Sequence, residues 1–276
     1  MQLIYGMIRE AILERFGRKV AAIIVYGSIT RPEDFAGNVS DIDVAVITNE
    51  RIPVKERLDL FSDMRFQLDA VFLTKEQLFE LASEGYPLIH YLKDGRLIYG
   101  DEKLLDSVNP TVTEKTLDIL KRASIAAVGS AVESYLMGIY NDAVSHLYHA
   151  LRYAVRWRIA EKKKHIPISN RDVYEALREL DDGGSVKTIF TKLIESRRGE
   201  VDSFKCRSLI EETVQGLANL HGFSRVTPWL EVERKLAQLK TYAALCEVKP
   251  IVNNDKLVWQ LKLYDATNNK HMQLEV

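Results

Sequence analysis

The sequence of 276 residues is poor in cysteine, proline and glycine. Its two cysteines, Cys206 and Cys246, lie far apart and match no metal-ligand spacing. This argues against a disulfide scaffold and a cysteine-based metal site, and we expect two buried, reduced thiols. The low proline and glycine content, with no low-complexity tract and no internal repeat, indicates an ordinary globular chain.

The sequence also lacks a charge excess and long apolar runs. Its 38 basic residues nearly balance its 39 acidic residues, for a net charge of −1. Whole-molecule charge therefore does not favour nucleic acid or an anionic membrane, and any anion site must be local. No apolar run approaches the length of a membrane span, and the N-terminal residues lack the order of a signal peptide. We expect a cytoplasmic protein with no membrane partner.

Residues 1–110 predict one domain of mixed strands and helices. Short apolar segments rich in β-branched residues predict strands at 19–26, 43–47, 67–74 and 95–102. Helical spacing of apolar residues predicts helices at 1–16, 53–66 and 75–83. Thr74 and Gln77 have the spacing of a capping box at the start of the last helix.

From residue 111 the pattern becomes helical. Amphipathic segments predict helices at 113–138, 141–163, 170–180, 186–197 and 203–221. A further helix at 227–244 precedes residues 257–264, where apolar residues alternate with period two, as is typical of a strand. The predicted fold class is α+β. It comprises a small mixed-sheet domain (1–110), an antiparallel helical bundle (111–225), and a helix with a short C-terminal β-meander (226–276).

Three acidic residues of the first domain lie on or beside predicted strands. Asp41 and Asp43 are two residues apart at the start of one strand, so both side chains leave the same face. Asp69 lies on the next strand along the chain. If the two strands are neighbours, the three carboxylates converge, and a hard divalent cation such as Mg²⁺ would offset their repulsion. The pattern therefore predicts a magnesium site that suits a nucleoside triphosphate.

A glycine–serine pair follows the first predicted strand directly. Gly27 lets the backbone approach phosphate oxygens closely, and the hydroxyl of Ser28 adds a donor. If residues 28–31 form a helical turn, their backbone N–H groups make an anion site. Arg31 could supply a positive charge for the triphosphate.

In this combination and order, the residues resemble the DNA polymerase β-type nucleotidyltransferase superfamily, in its minimal branch. The segments YGSITRP, DIDVAVI, LDAVFLT and LKDGRLIYGDE are similar to those domains over about residues 15–105. The resemblance implies that Gly27 and Ser28 hold a triphosphate. It further implies that Asp41 and Asp43 bind both metal ions, and that Asp69 binds the catalytic metal and helps to deprotonate the acceptor.

The same resemblance implies transfer of a nucleoside monophosphate, AMP from ATP, to a hydroxyl acceptor with release of pyrophosphate. It implies two Mg²⁺ ions, with Mn²⁺ as the alternative, and a homodimer. The acceptor stays open among a small molecule, a protein and RNA. The sequence departs from the family at Pro32, where glycine commonly follows the arginine, and in a slightly long insert. Both departures bear on the role of Arg31.

Residues 135–177 resemble the HEPN-type bundle and the C-terminal helices of aminoglycoside nucleotidyltransferases. On the predicted helix 141–163, we expect Tyr153 and Arg156 to line the cleft that faces the first domain and to contact nucleotide or acceptor. Residues 156–165 form a basic helix end, which the helix dipole explains without any partner. A nucleic-acid partner stays open on this evidence alone.

Two other classes of function are alternatives. The chain could be a regulatory, antitoxin-like module that binds a nucleotide or a partner without turnover. It could also be a ribonuclease of the HEPN type, but Arg158 and His165 have the required spacing at the end of the wrong helix, so we expect that site to be absent. In the insert after Arg31, we expect Glu33 and Asp34 to be solvated loop acids.

Overall fold

The structure is a computed structural model that describes residues 2–32, 34–35, 41–62, 68–180, 183–239 and 243–276. The chain divides into two compact units. The first comprises Met1–Leu117 with Lys164–Asn170, and the second comprises Asp118–Lys163 with Arg171–Val276. The domain boundaries predicted at residues 110 and 225 stay predictions, because compactness does not establish which segments fold independently.

A four-stranded mixed sheet forms the centre of the first unit. Its strands are β1 (Val20–Tyr26), β2 (Ile42–Thr48), β3 (Leu68–Thr74) and β4 (Arg96–Tyr99), in the order β3-β2-β1-β4. The β1 strand pairs antiparallel with β2 and β4, whereas β2 and β3 are parallel. Both faces of β1 and β2 are covered, which explains why these two strands are almost continuously apolar.

Five helices accompany this sheet: α1 (Gln2–Phe16), α2 (Val54–Ser62), α3 (Lys75–Glu84), α4 (Pro87–Lys93) and α5 (Glu102–Asp106). One apolar cluster joins α1 to Ile23 and Val25, and a second joins α3 and α4 to Ala22 and Ile24. Alternate residues of β1 therefore enter opposite layers, as the pleat of a strand requires. The predicted capping box of α3 is present, with Thr74 and Gln77 each bonding the other's backbone N–H.

The second unit contains most of the remaining helices and a separate sheet. Helices run over α6 (Glu114–Leu136), α7 (Tyr140–Lys163), α8 (Asn170–Leu177), α9 (Gly183–Ser196), α10 (Ser203–His221) and α11 (Trp229–Leu239). The strands are β5 (Arg225–Val226), β6 (Ala243–Asn253), β7 (Lys256–Asp265) and β8 (Lys270–Glu275). Strands β6, β7 and β8 form an antiparallel meander, and β5 pairs in parallel with β7.

The predicted α+β fold class is confirmed, with a mixed sheet, a helical bundle and a C-terminal meander. The helix predicted at 227–244 is wrong at its end, because α11 stops at Leu239 and Ala243 already begins β6. Ala243 and Ala244 pair with Asp265 and Tyr264 of β7, and this tertiary pairing outweighs the local helical pattern. Helices α4 and α5 were not predicted. Cys206 is buried as expected, whereas Cys246 is exposed.

Among the described residues, no helix has both the length and the apolar character that a membrane span requires.

A buried histidine at the end of α10 gives the second unit a pH-dependent stability. His221 Nε2 lies 2.8 Å from Ser124 Oγ, and its ring centroid lies 4.6 Å from that of Trp157. Its Nδ1 atom has no hydrogen-bond partner among the described residues. Burial, with the nearby charges of Lys121 and Arg158, lowers the pKa of His221 to about 3. The folded protein therefore holds this ring neutral at mildly acidic pH.

We expect the free energy of unfolding to fall as pH drops from above 6.5 toward 3, because only the unfolded chain protonates His221 in that window. The loss from this histidine between pH 7 and pH 5 should be about 2 kcal/mol. His221→Gln keeps a hydrogen-bonding side chain that does not titrate. Its free energy of unfolding should therefore fall by about 2 kcal/mol less than that of the wild type between pH 7 and pH 5. Urea unfolding at pH 5, 7 and 8 measures this, and the pH 8 value gives the pH-independent cost of the substitution. Equal pH dependence in both proteins would contradict the assignment.

Candidate active site

Two of the three predicted acids face each other across neighbouring strands. Strands β2 and β3 are parallel, and their register places Asp43 directly beside Asp69. Register partners on adjacent strands point to the same face of a sheet, and adjacent strands lie about 4.8 Å apart. Asp43 is partly buried and Asp69 is exposed. The two strands therefore bring two carboxylates together at the end where both strands begin.

The third acid, Asp41, lies just before β2 and interacts with the other strand. Its side chain is partly buried. Burial, and secondly the negative charge of Asp69, raise the pKa of Asp41 above its usual value. Asp41 and Asp69 are therefore close enough to repel each other. A positive charge placed near this site would reverse that effect and favour the ionised form of Asp41.

Gly27 of the glycine–serine pair lies against the Asp43 carboxylate. Gly27 follows β1, whose last residue, Tyr26, is the register partner of Asp43. Gly27 has a φ of +74°, and a Cβ atom at this position would lie 1.9 Å from Asp43 Oδ2. Only glycine accommodates both the left-handed backbone and this contact. The geometry thus places the start of the Gly27–Thr30 turn beside the Asp43 carboxylate.

The turn itself is a short 3₁₀ helix, Gly27–Thr30. Thr30 Oγ1 donates to the carbonyl oxygen of Gly27 at 2.8 Å, and Arg31 N donates to that of Ser28 at 3.0 Å. These bonds close the turn that carries Ser28. The sequence expectation of a helical turn at this position is therefore matched by the structure.

Arg31 lies immediately beyond the turn and is held by two acids. Its Nε donates to Asp34 Oδ2 at 3.2 Å, and its Nη1 donates to Asp94. Asp34 was expected to be a solvated loop acid, and that expectation is wrong, because Asp34 is only 4% exposed. The reason is its pairing with Arg31 and with a backbone amide far along the chain. Glu33 lies outside the described residues.

The two predicted cleft residues lie on α7. Tyr153 is partly buried, and Arg156 is buried with 6% of its surface exposed. Burial, followed by the positive charges of Arg197, Arg152 and Arg156, lowers the pKa of His149 to about 3. Arg156 therefore belongs to a group of cations on and beside α7. The role of Tyr153 and Arg156 in lining a cleft stays a prediction.

The donor atoms of the three aspartates fit a hard divalent cation. All are carboxylate oxygens, which are the ligands that Mg²⁺ and Mn²⁺ accept. Burial raises the pKa of Asp41 most, and the charge of Asp69 adds to this, so a nearby cation would favour the ionised form. Within the described ranges, no three Asp, Glu, His or Cys side chains are gathered closely enough to bind a metal ion as they stand. A bound cation would therefore have to draw these carboxylates together.

A mixed sheet with paired aspartates and a glycine–serine turn at one edge defines a nucleotidyltransferase domain. Residues 10–104 match the family model described as polymerase beta, nucleotidyltransferase. The predicted family resemblance is thus confirmed, and the chain is of the nucleotidyltransferase class. No curated protein matches the sequence.

One solved structure has a similar fold, and two others match with lower TM-scores. Spectinomycin adenyltransferase AAD(9) from Enterococcus faecialis, with ATP and spectinomycin, is 12% identical over 77% of this chain and 99% of that chain, with a TM-score of 0.50. A nucleotidyltransferase-like protein from Exiguobacterium sibiricum is 14% identical, with 91% and 95% covered and a TM-score of 0.29. A mutant of the toxin–antitoxin MntA-HpeT is 16% identical, with 48% and 98% covered and a TM-score of 0.29. At these identities the likeness to AAD(9) concerns the fold alone.

Sequence reasoning missed Asp34 and Asp94 as partners of Arg31. The spacing of Asp34, three residues after Arg31, is a weak local signal that a turn brings the two together. Asp94 lies 63 residues from Arg31 and gives no such signal.

Proposed function

We propose that this chain transfers AMP from ATP to a hydroxyl group of an acceptor and releases pyrophosphate, in a Mg²⁺-dependent reaction. The observation that carries the proposal is that Asp43 lies beside both Asp69 and Gly27, at the end of the sheet where β1 stops and β2 and β3 begin. Carboxylates beside an anion-binding turn suit a reaction at a phosphate. ATP is proposed as the donor because the similarly folded AAD(9) was solved with ATP.

In this proposal the Gly27–Thr30 turn binds the triphosphate, through its backbone N–H groups and the Ser28 hydroxyl. Asp41 and Asp43 would hold both metal ions, and Asp69 would hold the catalytic one. When bound, Mg²⁺ supplies positive charge that stabilises the charge developing on the phosphate oxygens. Arg31 adds positive charge near the turn.

Asp69 also accepts the proton of the acceptor hydroxyl. Its carboxylate is exposed, so an acceptor that arrives from solvent can reach it. The acceptor oxygen then bonds to the α-phosphorus, and the bond from that phosphorus to the bridging oxygen of the leaving pyrophosphate breaks. The protein contributes position and charge and forms no covalent intermediate.

The acceptor is proposed to be held with the help of Tyr153 and Arg156 on α7. A small molecule, a protein and RNA are the three acceptor classes to test, and the chain is proposed to act as a homodimer. AAD(9) was solved with spectinomycin, so an aminocyclitol belongs in the first acceptor screen.

Incubation with Mg²⁺ and ATP labelled at the α-phosphate should yield labelled acceptor and an equal amount of pyrophosphate. The screen covers aminocyclitols and aminoglycosides, transfer RNA and proteins, including the chain itself. Chelation with EDTA should abolish transfer, and Mn²⁺ or Mg²⁺ in excess should restore it. Binding of Mg·ATP without transfer to any acceptor would support the regulatory, antitoxin-like alternative. Failure of the folded protein to bind Mg·ATP would refute the proposal.

A further inference from the structure

The loop after the nucleotide turn contains a carboxylate that is almost fully buried. The Asp34 side chain is 1% exposed. Burying a charge is costly unless it is paired and hydrogen-bonded, so its partners must be strong. Asn170 N donates to Asp34 Oδ2 at 3.0 Å and to Oδ1 at 3.3 Å, and Arg31 Nε donates to Oδ2 at 3.2 Å. Asp34 therefore links Arg31 to the backbone amide of Asn170, which lies 136 residues after Asp34 in the sequence.

Arg31 transmits the restraint on Asp34 to the Gly27–Thr30 turn. Its Nη1 donates to Thr30 Oγ1 at 3.3 Å and also to Asp94. The Thr30 hydroxyl in turn donates to the carbonyl oxygen of Gly27 at 2.8 Å. A continuous chain of hydrogen bonds thus leads from the Asp34 carboxylate to the first residue of the turn. The guanidinium is planar and rigid, so fixing its Nε fixes the direction of its Nη1 as well.

Backbone bonds strengthen the same connection. Asp34 N donates to the carbonyl oxygen of Arg31 at 2.9 Å, and Arg31 N donates to that of Ser28 at 3.0 Å. The side-chain and backbone bonds together restrain the segment between Gly27 and Asp34 at several points. A binding site that is already ordered loses less conformational entropy when its ligand binds.

We propose that Asp34 is a positioning residue for the nucleotide site. It holds the Arg31 guanidinium and, through Arg31, keeps the Gly27–Thr30 turn in the conformation that receives the triphosphate. The proposal rests on the proposed function, because it concerns the affinity of that site for a nucleotide. Asp34 itself touches neither the nucleotide nor the acceptor. Its effect passes through Arg31, and this makes the two residues energetically coupled.

The coupling gives a test that a purely structural role would not satisfy. We would measure, by calorimetry, the Kd for Mg²⁺ with adenosine 5′-(α,β-methylene)triphosphate, which binds without being turned over. Asp34→Asn and Arg31→Lys should each weaken binding by about tenfold, because either change loosens the turn. The double variant should also be weaker by about tenfold. Two independent effects would multiply to about a hundredfold.

A second variant tests the anchor of Asp34 at the Asn170 amide. Asn170 is the first residue of α8, where proline is well tolerated, so Asn170→Pro removes the amide that binds Asp34 at little cost to the helix. Because Arg31 passes the restraint of this amide on to the turn, we expect Asn170→Pro to lower the melting temperature and to weaken binding of the analogue, but by no more than Asp34→Asn does.

Each other outcome has a definite meaning. If wild type binds the analogue and Asp34→Asn binds it equally well, the positioning role is refuted and the proposed function stands. A hundredfold loss in the double variant would likewise refute action through Arg31, as would a larger loss in Asn170→Pro than in Asp34→Asn. If Asp34→Asn does not fold, Arg31→Lys decides, and wild-type affinity in that variant overturns the proposal. If wild type does not bind, the proposed function fails and this inference fails with it.

Discussion

Asp69→Asn should lower the rate of nucleotidyl transfer by at least about 10³-fold without unfolding the protein. Asparagine has the same size as aspartate but is neutral, so it binds a divalent cation weakly and cannot accept the proton of the acceptor. The side chain is exposed, and its charge repels Asp41. Removing that charge therefore costs little stability and should let the pKa of Asp41 return toward its usual value. Single-turnover transfer of α-labelled phosphate measures the rate, and thermal unfolding checks the fold.

Asp106→Asn is the control for this prediction. Asp106 is an exposed acid at the end of α5 whose carboxylate lies 3.7 Å from Lys93 Nζ. Its substitution removes the same charge from the same unit but from a different element, and we expect transfer close to the wild-type rate. If Asp69→Asn retained more than about a tenth of the wild-type rate, Asp69 would not be a metal ligand or a proton acceptor.

The centre of the site could be predicted from the sequence because it depends on local strand geometry. Asp43 and Asp69 both lie near the start of short, apolar strands, and such strands pair in a small number of ways. Gly27 and Ser28 follow directly on a strand, where a turn is expected. Strand alternation and chain order indicated which residues would meet if the two strands were neighbours, and the structure supplies that pairing. The match of residues 10–104 to a family confirms the class.

The surroundings of the site could not be predicted, because they depend on contacts between distant segments. Asp34 has the sequence context of a solvated loop acid, and only the amide of Asn170 and the Arg31 guanidinium explain its burial. The start of the β6 strand depends in the same way on pairing with β7, because its early residues continue a local helical pattern. Part of the predicted insert, residues 36–40, lies outside the described residues.

Gly27→Ala should reduce transfer by about 100-fold and destabilise the protein by about 1–2 kcal/mol. Two separate effects act at this position. An alanine at a φ of +74° is strained, which accounts for the loss of stability. Its Cβ would also lie 1.9 Å from Asp43 Oδ2, so the Asp43 carboxylate must move. A displacement of about 1 Å at a reacting centre is enough for a 100-fold loss. Urea unfolding and single-turnover transfer measure the two effects separately.

Gly138→Ala isolates the backbone effect from the contact with Asp43. Gly138 has a φ of +79°, close to that of Gly27, and a Cβ there would meet no described heavy atom within 4 Å. We expect a similar loss of stability in this variant and a transfer rate close to wild type. If the two variants are equally destabilised and both transfer at the wild-type rate, the contact between Gly27 and Asp43 does not matter for catalysis. If only Gly27→Ala loses transfer, catalysis requires glycine at position 27, because the Asp43 carboxylate occupies the space that a Cβ atom would fill.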